Sequence, residues 1–370
     1  MKILYDYPSF IPTYGGVPRY VCEILKELQN EIEADMSVLY SDNIYLEQLP
    51  YLHIQHLVSN KKFKGKDKLE GIFNLIYSTC KIIRNNYDIF HATYSNTYLF
   101  GFSNSSYFSY IKKPVVATIH DMIYENSPEL STLYAKNIES KKKLIYHSNH
   151  IIAVSENTKK EILEKYPIDP EKISVIYHGA PSIPQQTIKN EFGRYILFVG
   201  RRSPYKNFPF FVESIAPLLL EDSQLKLVCV SPAFSKEEEK FQIELGIKQQ
   251  VITISASDDL LNSLYKHALA FVFPSINEGF GIPILEAFAA NCPVCLSNTS
   301  CFPEIAGNAA LYFNPKDKHS IYNAVKKIIH DKELASGLTQ LGVERLSLFS
   351  WKKAAEQTLE VYKNVLSQKN

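Results

Sequence analysis

The chain has 370 residues, which is more than one hydrophobic core usually supports, so two domains are expected. Hydrophobic residues make up 45% and charged residues 21%, as in an ordinary globular protein. A formal net charge of +1 excludes a global electrostatic attraction to nucleic acid or to a membrane.

The sequence favours a cytoplasmic protein. Residues 1–6 lead directly into a strand, without the charged leader and apolar core of a signal peptide. No apolar run reaches the length of a membrane span. The six cysteines are scattered, which favours reduced thiols. The Cys-x-x-Cys motif at 292–295 overlaps a predicted strand and has no second ligand pair, so we expect neither a metal nor a redox role for it.

Two basic segments lie in the first half, at residues 61–68 and 141–143. We interpret them as a solvated loop and a solvated helix face. The alternative is a surface that contacts anionic lipid headgroups at the membrane.

The first predicted unit is a strand at 2–5, a polar loop at 8–16 that ends in Gly15-Gly16, and a helix at 17–28 with helical apolar spacing. A glycine loop before a helix suits a phosphate, because unpaired amides and the helix dipole point into the loop. The G-x-G-x-x-G spacing is absent, so nothing indicates a nicotinamide cofactor. A tight turn without a ligand is an equal alternative.

Short apolar strands continue through the first half, separated by helical segments such as the one at 156–165, for which Ser155 is the expected cap. They are predicted at residues 37–40, 89–91, 114–119, 150–155 and 173–177. This pattern indicates a parallel sheet, which binds ligands at the carboxyl ends of its strands. His91, His120 and Asp121 fall at that edge, and a hydrogen-bonded core residue is an equal alternative for His91.

A proline-rich polar segment at 179–186 is the best linker candidate, and a second strand, loop and helix follow it. The strand at 195–199 leads into a loop, residues 200–207, with three cations, Arg201, Arg202 and Lys206. Cations gathered at the carboxyl end of a strand predict an anionic ligand; a solvated basic turn is the alternative.

The second half repeats the alternation of strands and helices. Strands are predicted at 225–230, 251–254, 270–274, 293–296 and 311–313, and helices from 208, at 258–267, 320–329 and 351–366. Asp258 and Asp259 head one helix, where we expect them to act as caps. The predicted fold class is α/β, with two doubly wound domains and a cleft between them.

Two carboxylates bracket a glycine-rich turn at residues 277–286. Glu278 follows the strand at 270–274, Gly279 and Gly281 allow a tight turn, and Pro283 suits the first turn of a helix. Glu286 lies on that helix, so both carboxylates would face one polar ligand, and the amides of the turn would receive an anion. The simpler alternative is that acidic residues only complement the helix dipole.

The loop Gly200-Arg201-Arg202-Ser203-Pro204-Tyr205-Lys206-Asn207 resembles the G-R-x-x-x-x-K-N loop of the retaining GT-B glycosyltransferases of family 4 (GT4). Glu278 and Glu286 have the E-x7-E spacing of that family, and residues 287–294 and 302–305 are also similar. The resemblance covers nearly the whole chain. The His120-Asp121 pair resembles the subset with H-D after a central strand, which favours a mannosyltransferase.

The resemblance implies a role for each matching residue. Arg201 and Lys206 would clamp the donor diphosphate, and Glu286 would bind the ribose hydroxyls. The amides of Gly279, Phe280 and Gly281 would face the donor phosphate and sugar. The catalytic residues would be Glu278 and His120, both in contact with the transferred sugar. Gly16 would lie under the diphosphate, and Asp121 would touch the acceptor.

The resemblance also implies the GT-B architecture. An N-terminal Rossmann-like domain at 1–183 would serve the acceptor, a second at 184–350 would bind the nucleotide sugar, and the helix in 351–370 would cross back to the first. Two departures, Asn291 for the usual glycine and Phe302 for the usual leucine, leave activity intact; Asn tolerates the left-handed conformation that ends a helix.

We therefore expect a hexosyltransferase that uses GDP-mannose, with a glycan or lipid-linked saccharide as acceptor and retention by front-face attack. No nucleophile and base pair for double displacement is evident, and no metal or other cofactor is expected. The alternatives are a UDP-hexose or UDP-N-acetylhexosamine donor, a sugar-nucleotide epimerase, and a GT-B subunit that binds without transferring. No nucleic-acid partner is expected, and contact with the membrane would be peripheral.

Overall fold

The computed structural model describes residues 1–52, 54–55, 65–94, 110–181, 189 and 191–368. The chain forms two compact units: unit 1 is Met1–Gly179 with Trp351–Asn370, and unit 2 is Ala180–Ser350. The boundary predicted between residues 183 and 184, most of the linker candidate and basic residues 61–64 lie outside the described residues.

Unit 1 contains a six-stranded parallel sheet in the order β2-β1-β3-β4-β5-β6. Its strands are β1 (Lys2–Tyr5), β2 (Glu33–Met36), β3 (Ile89–Ala92), β4 (Val115–Ile119), β5 (His150–Ala153) and β6 (Ile173–Val175). The chain moves from β1 outward to β2 and then reverses to β3, so the sheet has a topological switch point between β1 and β3.

The predicted strand at residues 37–40 is wrong. The strand beside β1 is Glu33–Met36, four residues earlier, and Tyr40 forms only an isolated bridge to Gln55. The reason is that β2 lies at the edge of the sheet and carries polar residues. Glu33 pairs with Lys2 at 2.7 Å, so the segment lacks the apolar character of a buried strand.

Six helices accompany this sheet among the described residues of the first half. They are α1 (Gly16–Leu28), α2 (Lys66–Arg84), α3 (Ile123–Asn126), α4 (Pro128–Leu133), α5 (Ala135–His147) and α6 (Glu156–Lys165). Helix α6 begins as predicted, with Ser155 accepting a hydrogen bond from the Thr158 amide.

Two lysines contradict the interpretation of the basic segments as solvated. Lys141 is 4% exposed, and its ammonium lies 3.0 Å from Glu125. Lys66 is also 4% exposed and pairs with Asp42 and with Glu70. Both are buried because carboxylates from other segments receive them, which a run of lysines in the sequence does not reveal.

Unit 2 contains a second six-stranded parallel sheet, in the order β12-β11-β10-β7-β8-β9. Its strands are β7 (Arg194–Val199), β8 (Leu225–Val230), β9 (Val251–Ile254), β10 (Ala270–Phe273), β11 (Val294–Ser297) and β12 (Leu311–Phe313). Strands β10 and β11 are buried throughout, as their unbroken apolar runs predict. The chain reverses between β7 and β10, which makes this the switch point of unit 2.

The helices of unit 2 and the last helix complete the fold. They are α7 (Phe208–Glu221), α8 (Lys236–Glu244), α9 (Asp258–His267), α10 (Ile282–Ala289), α11 (Phe302–Ala306), α12 (Lys318–His330), α13 (Lys332–Arg345) and α14 (Trp351–Ser367). The capping role predicted for Asp258 and Asp259 is wrong. The cap of α9 is Ser257, whose hydroxyl accepts from the Leu260 amide, and the two acids lie in the first turn.

Helix α14 belongs to unit 1, where it packs against α1. Its Tyr362 is fully buried, and the hydroxyl lies 2.9 Å from the Tyr5 hydroxyl. Unit 1 consists of two chain segments, and Gly179, the last residue of the first segment, contacts Trp351, the first residue of the second. A Cβ on Gly179 would lie 2.3 Å from the Trp351 nitrogen, so only glycine fits where the chain leaves and rejoins unit 1.

Each unit is thus a parallel α/β sheet with helices, which confirms the predicted fold class. Among the described residues, none of the helices combines the length and apolar character required to cross a lipid bilayer.

Candidate active site

In unit 2, the loops that follow β7 and β10 lie side by side because these strands are neighbours in the sheet. A backbone hydrogen bond of 2.8 Å from the Ile276 amide to the Tyr205 carbonyl joins them. The switch point of a parallel sheet is where such folds bind ligands. Both motif loops of the sequence therefore meet at this point.

Lys206 and Glu278 form an ion pair across these loops. The Lys206 Nζ atom lies 2.6 Å from Glu278 Oε1, and each side chain is only 12% exposed. The ammonium also lies 4.6 Å from the centre of the Phe273 ring, above the end of β10. The sequence predicted separate roles for the two residues, and the structure shows them paired with each other.

The three cations of the 200–207 loop are not equivalent. Arg201 is exposed and has no hydrogen bond or ion pair within the described part of the chain. Arg202 is fully engaged: it contacts both carboxylate oxygens of Glu238, the Ser231 hydroxyl and two carbonyl oxygens. Its guanidinium lowers the pKa of Glu238 through these hydrogen bonds. Arg202 therefore stabilises the loop, and Arg201 is the cation available to a ligand.

Ser300, which sequence reasoning missed, anchors the loop that carries Glu278. Its hydroxyl accepts from the Glu278 amide at 3.0 Å and lies 2.6 Å from the Glu278 carbonyl oxygen. Ser300 has a φ of 57°, in the left-handed region that serine rarely adopts. The two hydrogen bonds fix the backbone of Glu278, and no local pattern in the sequence signals them.

The turn before α10 depends on Gly281. This residue has a φ of 89°, and a Cβ there would lie 3.0 Å from the Ile284 side chain. Phe280, just before it, is buried against Phe349, with ring centres 5.9 Å apart. Pro283 occupies the first turn of α10 as predicted. The turn thus holds its backbone rigidly at the start of the helix.

Glu286 projects from α10 and is partly buried. The hydroxyl of Tyr265, a buried residue of α9, donates to Glu286 Oε2 at 3.2 Å. Tyr265 is a second partner that sequence reasoning missed, because it lies 21 residues away on another helix. It holds one carboxylate oxygen in place.

In unit 1, the candidate residues again lie at the carboxyl edge of the sheet. Gly16 is the first residue of α1 and is exposed, and Tyr20 follows one turn later. The Tyr20 ring packs edge-on against His120, with ring centres 5.3 Å apart. The first turns of α1 therefore lie beside the end of β4.

Hydrogen bonding fixes the protonation of His120. Its Nε2 atom lies 3.0 Å from the Thr93 carbonyl oxygen, which can only accept, so Nε2 carries the proton and Nδ1 is left as an acceptor. Burial lowers the pKa of His120 to about 4, so the ring is neutral at physiological pH. Neutral His120 can accept a hydrogen bond from a hydroxyl group.

Asp6, a further residue that sequence reasoning missed, holds Thr93 in turn. Its carboxylate accepts from the Thr93 amide at 2.7 Å and from the Thr93 hydroxyl at 2.6 Å. Asp6 is almost completely buried, and burial raises its pKa to about 7. The chain of contacts from Asp6 through Thr93 to His120 connects the ends of β1, β3 and β4.

Asp121 is held by a buried cation. Lys141 donates to the Asp121 carbonyl oxygen at 2.8 Å and lies 3.6 Å from its carboxylate, which also accepts from the Ile123 amide. The carboxylate remains about a third exposed. It is thus positioned by the protein and still open to a ligand.

His91 has a structural role, the alternative considered from the sequence. Its Nδ1 atom lies 2.5 Å from the Tyr362 hydroxyl and its Nε2 atom 2.9 Å from the Thr118 hydroxyl. The ring is buried, and burial lowers its pKa to about 3. His91 ties α14 to the sheet.

The cysteines and possible metal ligands give no second centre within the described residues. All six cysteines are free and only Cys80 is exposed, in agreement with the prediction of reduced, mostly buried thiols. No cluster of three or more histidine, cysteine or acidic side chains is arranged to hold a metal ion in this part of the chain.

Comparison with known families matches both units. Residues 14–181 match the model described as Glycosyltransferase Family 4, and residues 180–344 match Glycosyl transferases group 1. The chain belongs to the group 1 glycosyltransferases. The fold, the two motif loops and the family match therefore agree.

Two curated relatives of this glycosyltransferase are O-antigen chain mannosyltransferases. RfbU of Salmonella typhimurium is 34% identical over 214 residues, which are 57% of this chain and 60% of the relative, less than two thirds of its length. O-antigen chain mannosyltransferase B of Escherichia coli is 24% identical over 98% of this chain and 100% of the relative. HepE from Anabaena has a similar solved structure, with a TM-score of 0.76 and 18% identity over 98% of this chain and all of that one, which shows the GT-B fold.

Proposed function

We propose that this glycosyltransferase moves mannose from GDP-mannose to a saccharide or lipid-linked saccharide, with retention at the anomeric carbon, in the synthesis of a polysaccharide or glycoconjugate. Support for mannose comes from the two curated relatives, both of which are named as O-antigen chain mannosyltransferases. A UDP-hexose or UDP-N-acetylhexosamine donor is the second candidate. The family is one of transferases, so nothing favours the epimerase alternative.

The Lys206–Glu278 pair, with exposed Arg201 in the same loop as Lys206, carries the proposed site in unit 2. A diphosphate offers oxygens that both cations recognise, Arg201 through a planar fork and Lys206 as a point charge. Together they neutralise the charge that grows on the leaving diphosphate. Lys206 then exchanges part of its contact with Glu278 for the donor, and the freed carboxylate oxygen accepts from hydroxyls of the transferred sugar.

The proposed reaction proceeds on one face of the sugar. The bond between the anomeric carbon and the diphosphate oxygen breaks, and the acceptor hydroxyl oxygen forms the new bond on the same face. The acceptor proton passes to the leaving diphosphate oxygen, so no separate base is required. Positive charge on the anomeric carbon is stabilised by Glu278.

The remaining residues bind and orient the substrates. Glu286, held by Tyr265, accepts from the ribose hydroxyls, and the amides of Gly279, Phe280 and Gly281 face the donor phosphate and sugar. In unit 1, His120 accepts from a hydroxyl of the donor sugar through Nδ1. Gly16 lies under the diphosphate, and Asp121 contacts the acceptor.

Transfer is proposed to need no metal ion or other cofactor, because two cations of the chain already oppose the diphosphate. The protein is proposed to act in the cytoplasm, in peripheral contact with the membrane where its acceptor is lipid-linked. Exhaustive chelation should leave the rate unchanged; a rate that is lost and then restored by magnesium would overturn the metal independence.

The deciding experiment is a donor screen followed by turnover. GDP-mannose should raise the melting temperature more than UDP-glucose or UDP-N-acetylglucosamine at the same concentration, because a ligand that binds only the folded chain stabilises it more when it binds more tightly. With a saccharide acceptor, free GDP and an α-linked product should form, as measured by NMR of the anomeric proton. A stronger shift and faster turnover with a UDP-sugar would assign the second candidate, and binding without turnover of any donor would indicate a non-catalytic subunit.

A further inference from the structure

Helix α2 of unit 1 is amphipathic, but it buries its polar side and exposes its apolar side. Its buried face carries Lys66, Glu70, Asn74 and Ser78, spaced four residues apart. Its exposed face carries Leu69, Ile72, Phe73, Ile76, Cys80 and Ile83, which also recur at helical spacing. A helix on the surface of a globular protein normally buries its apolar side, so this helix has its apolar stripe turned outward.

The polar side of α2 is held inward by specific partners. The Asn74 amide oxygen accepts from the amides of Leu39 and Tyr40 at 2.8 and 2.9 Å, and its amide nitrogen donates to the Tyr40 carbonyl oxygen at 2.8 Å. Lys66 pairs with Asp42 and Glu70, and Lys81 pairs with Asp35. These contacts fix the rotation of the helix, so the outward orientation of the apolar stripe is built into the fold.

The charge at this surface is basic. Lys68 and Arg84 are exposed along the two margins of the apolar stripe, and neither has an ion-pair partner within the described residues. Of the α2 side chains that the structure describes, none of the exposed ones is acidic. An apolar stripe between unpaired cations complements an anionic bilayer, whose headgroups attract the cations while the acyl boundary receives the apolar side chains.

A second copy of the chain fits this surface less well. If α2 packed against its own copy in an antiparallel arrangement, Lys68 would oppose Arg84; in a parallel one, each cation would oppose itself. Either arrangement brings like charges together, and among the described side chains of α2 none of the exposed ones is an acid that could offset them. A contiguous apolar patch on the surface nevertheless requires a partner, because such patches mark interaction sites.

We propose that the exposed face of α2, defined by Leu69, Ile72, Phe73, Ile76, Cys80 and Ile83 with Lys68 and Arg84 at its margins, docks the protein on an anionic lipid bilayer. The helix lies in the plane of the interface with its apolar stripe inserted. This deepens the proposed function by naming the surface that brings the chain to a lipid-linked acceptor. Docking is measured without transfer, so its failure and that of the proposed transfer are distinguishable.

The test is co-sedimentation of the whole chain with vesicles of phosphatidylcholine, with and without phosphatidylglycerol. Binding should require the anionic lipid and weaken with salt. Ile76→Glu should weaken it at least about tenfold, because it replaces an inserted apolar side chain with an acid. Lys68→Gln should weaken it about fivefold, which corresponds to about 1 kcal/mol for one basic residue at an anionic surface.

A matched control is available in unit 2. Ile243 of α8 is 63% exposed, compared with 57% for Ile76, and it lies far from α2 in the sequence. Ile243→Glu should leave vesicle binding unchanged. Equal loss in both variants would overturn the assignment to α2, as would wild-type binding by Ile76→Glu.

Insertion of α2 into the bilayer can be measured through a label on Cys80, because this cysteine lies on the exposed face of α2 and the other five cysteines are buried. An environment-sensitive fluorophore attached to Cys80 should shift to the blue on anionic vesicles only. No binding together with self-association that Ile76→Glu abolishes would assign the face to a second copy. No binding together with a lower melting temperature of Ile76→Glu would assign it to another segment of the chain; both outcomes overturn the proposal.

Discussion

In unit 2 the candidate site is centred on two opposite charges, Lys206 and Glu278, 2.6 Å apart, whereas in unit 1 it is centred on a neutral imidazole, that of His120. Both lie at the carboxyl edge of a parallel sheet, the pair in unit 2 after β7 and β10 and His120 in unit 1 after β4, so the two folds provide similar positions. The side chains that fill them differ. Unit 2 has cations suited to a leaving diphosphate, and unit 1 has an uncharged acceptor suited to hydroxyl groups.

The surroundings maintain this difference. Lys206 and Glu278 are the counter-ions of each other, and removal of one leaves an unpaired charge at a mostly buried site. His120 is kept neutral because burial disfavours the imidazolium, and the Thr93 carbonyl fixes its tautomer. Substitutions in unit 2 should therefore act on charge, and those in unit 1 on hydrogen-bond direction.

The largest effect is expected from Lys206→Ala. Loss of a cation opposite the leaving diphosphate should lower kcat/KM about 10²–10³-fold, the range seen when one preorganised electrostatic contact is removed. Stability should also fall, because Glu278 is left without its partner. The measurements are steady-state kinetics with the donor from the screen and urea unfolding.

A double variant separates the two effects. Lys206→Ala combined with Glu278→Gln removes both charges, so much of the lost stability should return while transfer remains poor. Full recovery of transfer in the double variant would contradict a role of either residue with the substrate. Unchanged stability in both variants would contradict the ion pair.

The next effect is a loss of stability in mild acid, which should originate in unit 1. Burial lowers the pKa of His91 to about 3 and of His120 to about 4, and lowers that of His178 well below its ordinary value of 6.5. Below pH 6.5 the unfolded chain binds protons that these native histidines do not, so stability falls as the pH falls. Asp6 opposes this trend, because its raised native pKa retains a proton that the unfolded chain releases.

Three histidines against one carboxylate leave a net uptake that approaches two protons on unfolding, or roughly 2 kcal/mol over the first pH unit below pH 6.5. His150, whose pKa burial also lowers, acts in the same direction. Urea midpoints at pH 6.5 and 5.5 measure this loss of stability. His120→Gln should reduce the slope by one proton. A midpoint that does not change over this range would mean that the histidines are not kept neutral by burial.

The contrast between predictable and unpredictable features is the same in both units. Buried strands such as β10 and amphipathic helices such as α1 follow from local pattern, because burial on both faces or on one face imposes a periodicity. Edge strand β2 does not, since its exposed positions carry charges. The motif loops were located correctly because strand ends and glycine turns are local features.

What the sequence did not reveal are the partners that hold the site residues. Ser300 anchors Glu278 from 22 residues away, and Tyr265 holds Glu286 from 21. Asp6 reaches Thr93 across 87 residues. Such pairings depend on which loops the sheet order brings together, and no periodic pattern contains that information. For the same reason, the local pattern alone did not distinguish Arg201 from Arg202, and only the resemblance to a known family singled out Arg201.

A smaller effect is expected from substitutions of the two arginines: that of Arg201 should affect donor binding, and that of Arg202 should affect stability. Arg201→Ala should lower kcat/KM about 10-fold to 100-fold, the equivalent of one charge-assisted hydrogen bond. The melting temperature should not change, because Arg201 has no partner within the described residues. Arg202→Ala should lower the melting temperature, since it leaves Glu238 without its guanidinium. Kinetics and thermal unfolding of both variants test this, and a reversal of the two results would mean that Arg202 is the donor contact.

The smallest effect is expected from Asp6→Asn, which tests whether unit 1 acts through hydrogen-bond direction. The Thr93 amide and hydroxyl both donate to the same oxygen, Asp6 Oδ1. The amide oxygen of asparagine can still accept both bonds, but without the negative charge that strengthens them, so the Thr93 carbonyl that fixes His120 is held less firmly. We expect kcat/KM to fall about 2-fold to 10-fold, the contribution of one neutral hydrogen bond. Nitrogen-15 NMR of the histidines should show a smaller fraction of His120 with the proton on Nε2, a change that general destabilisation would not cause.

Ser9→Ala is the control, because it removes a hydroxyl beside Thr93 and leaves both Asp6 contacts in place. A wild-type tautomer ratio in Asp6→Asn, whatever its activity, would show that Asp6 does not position His120.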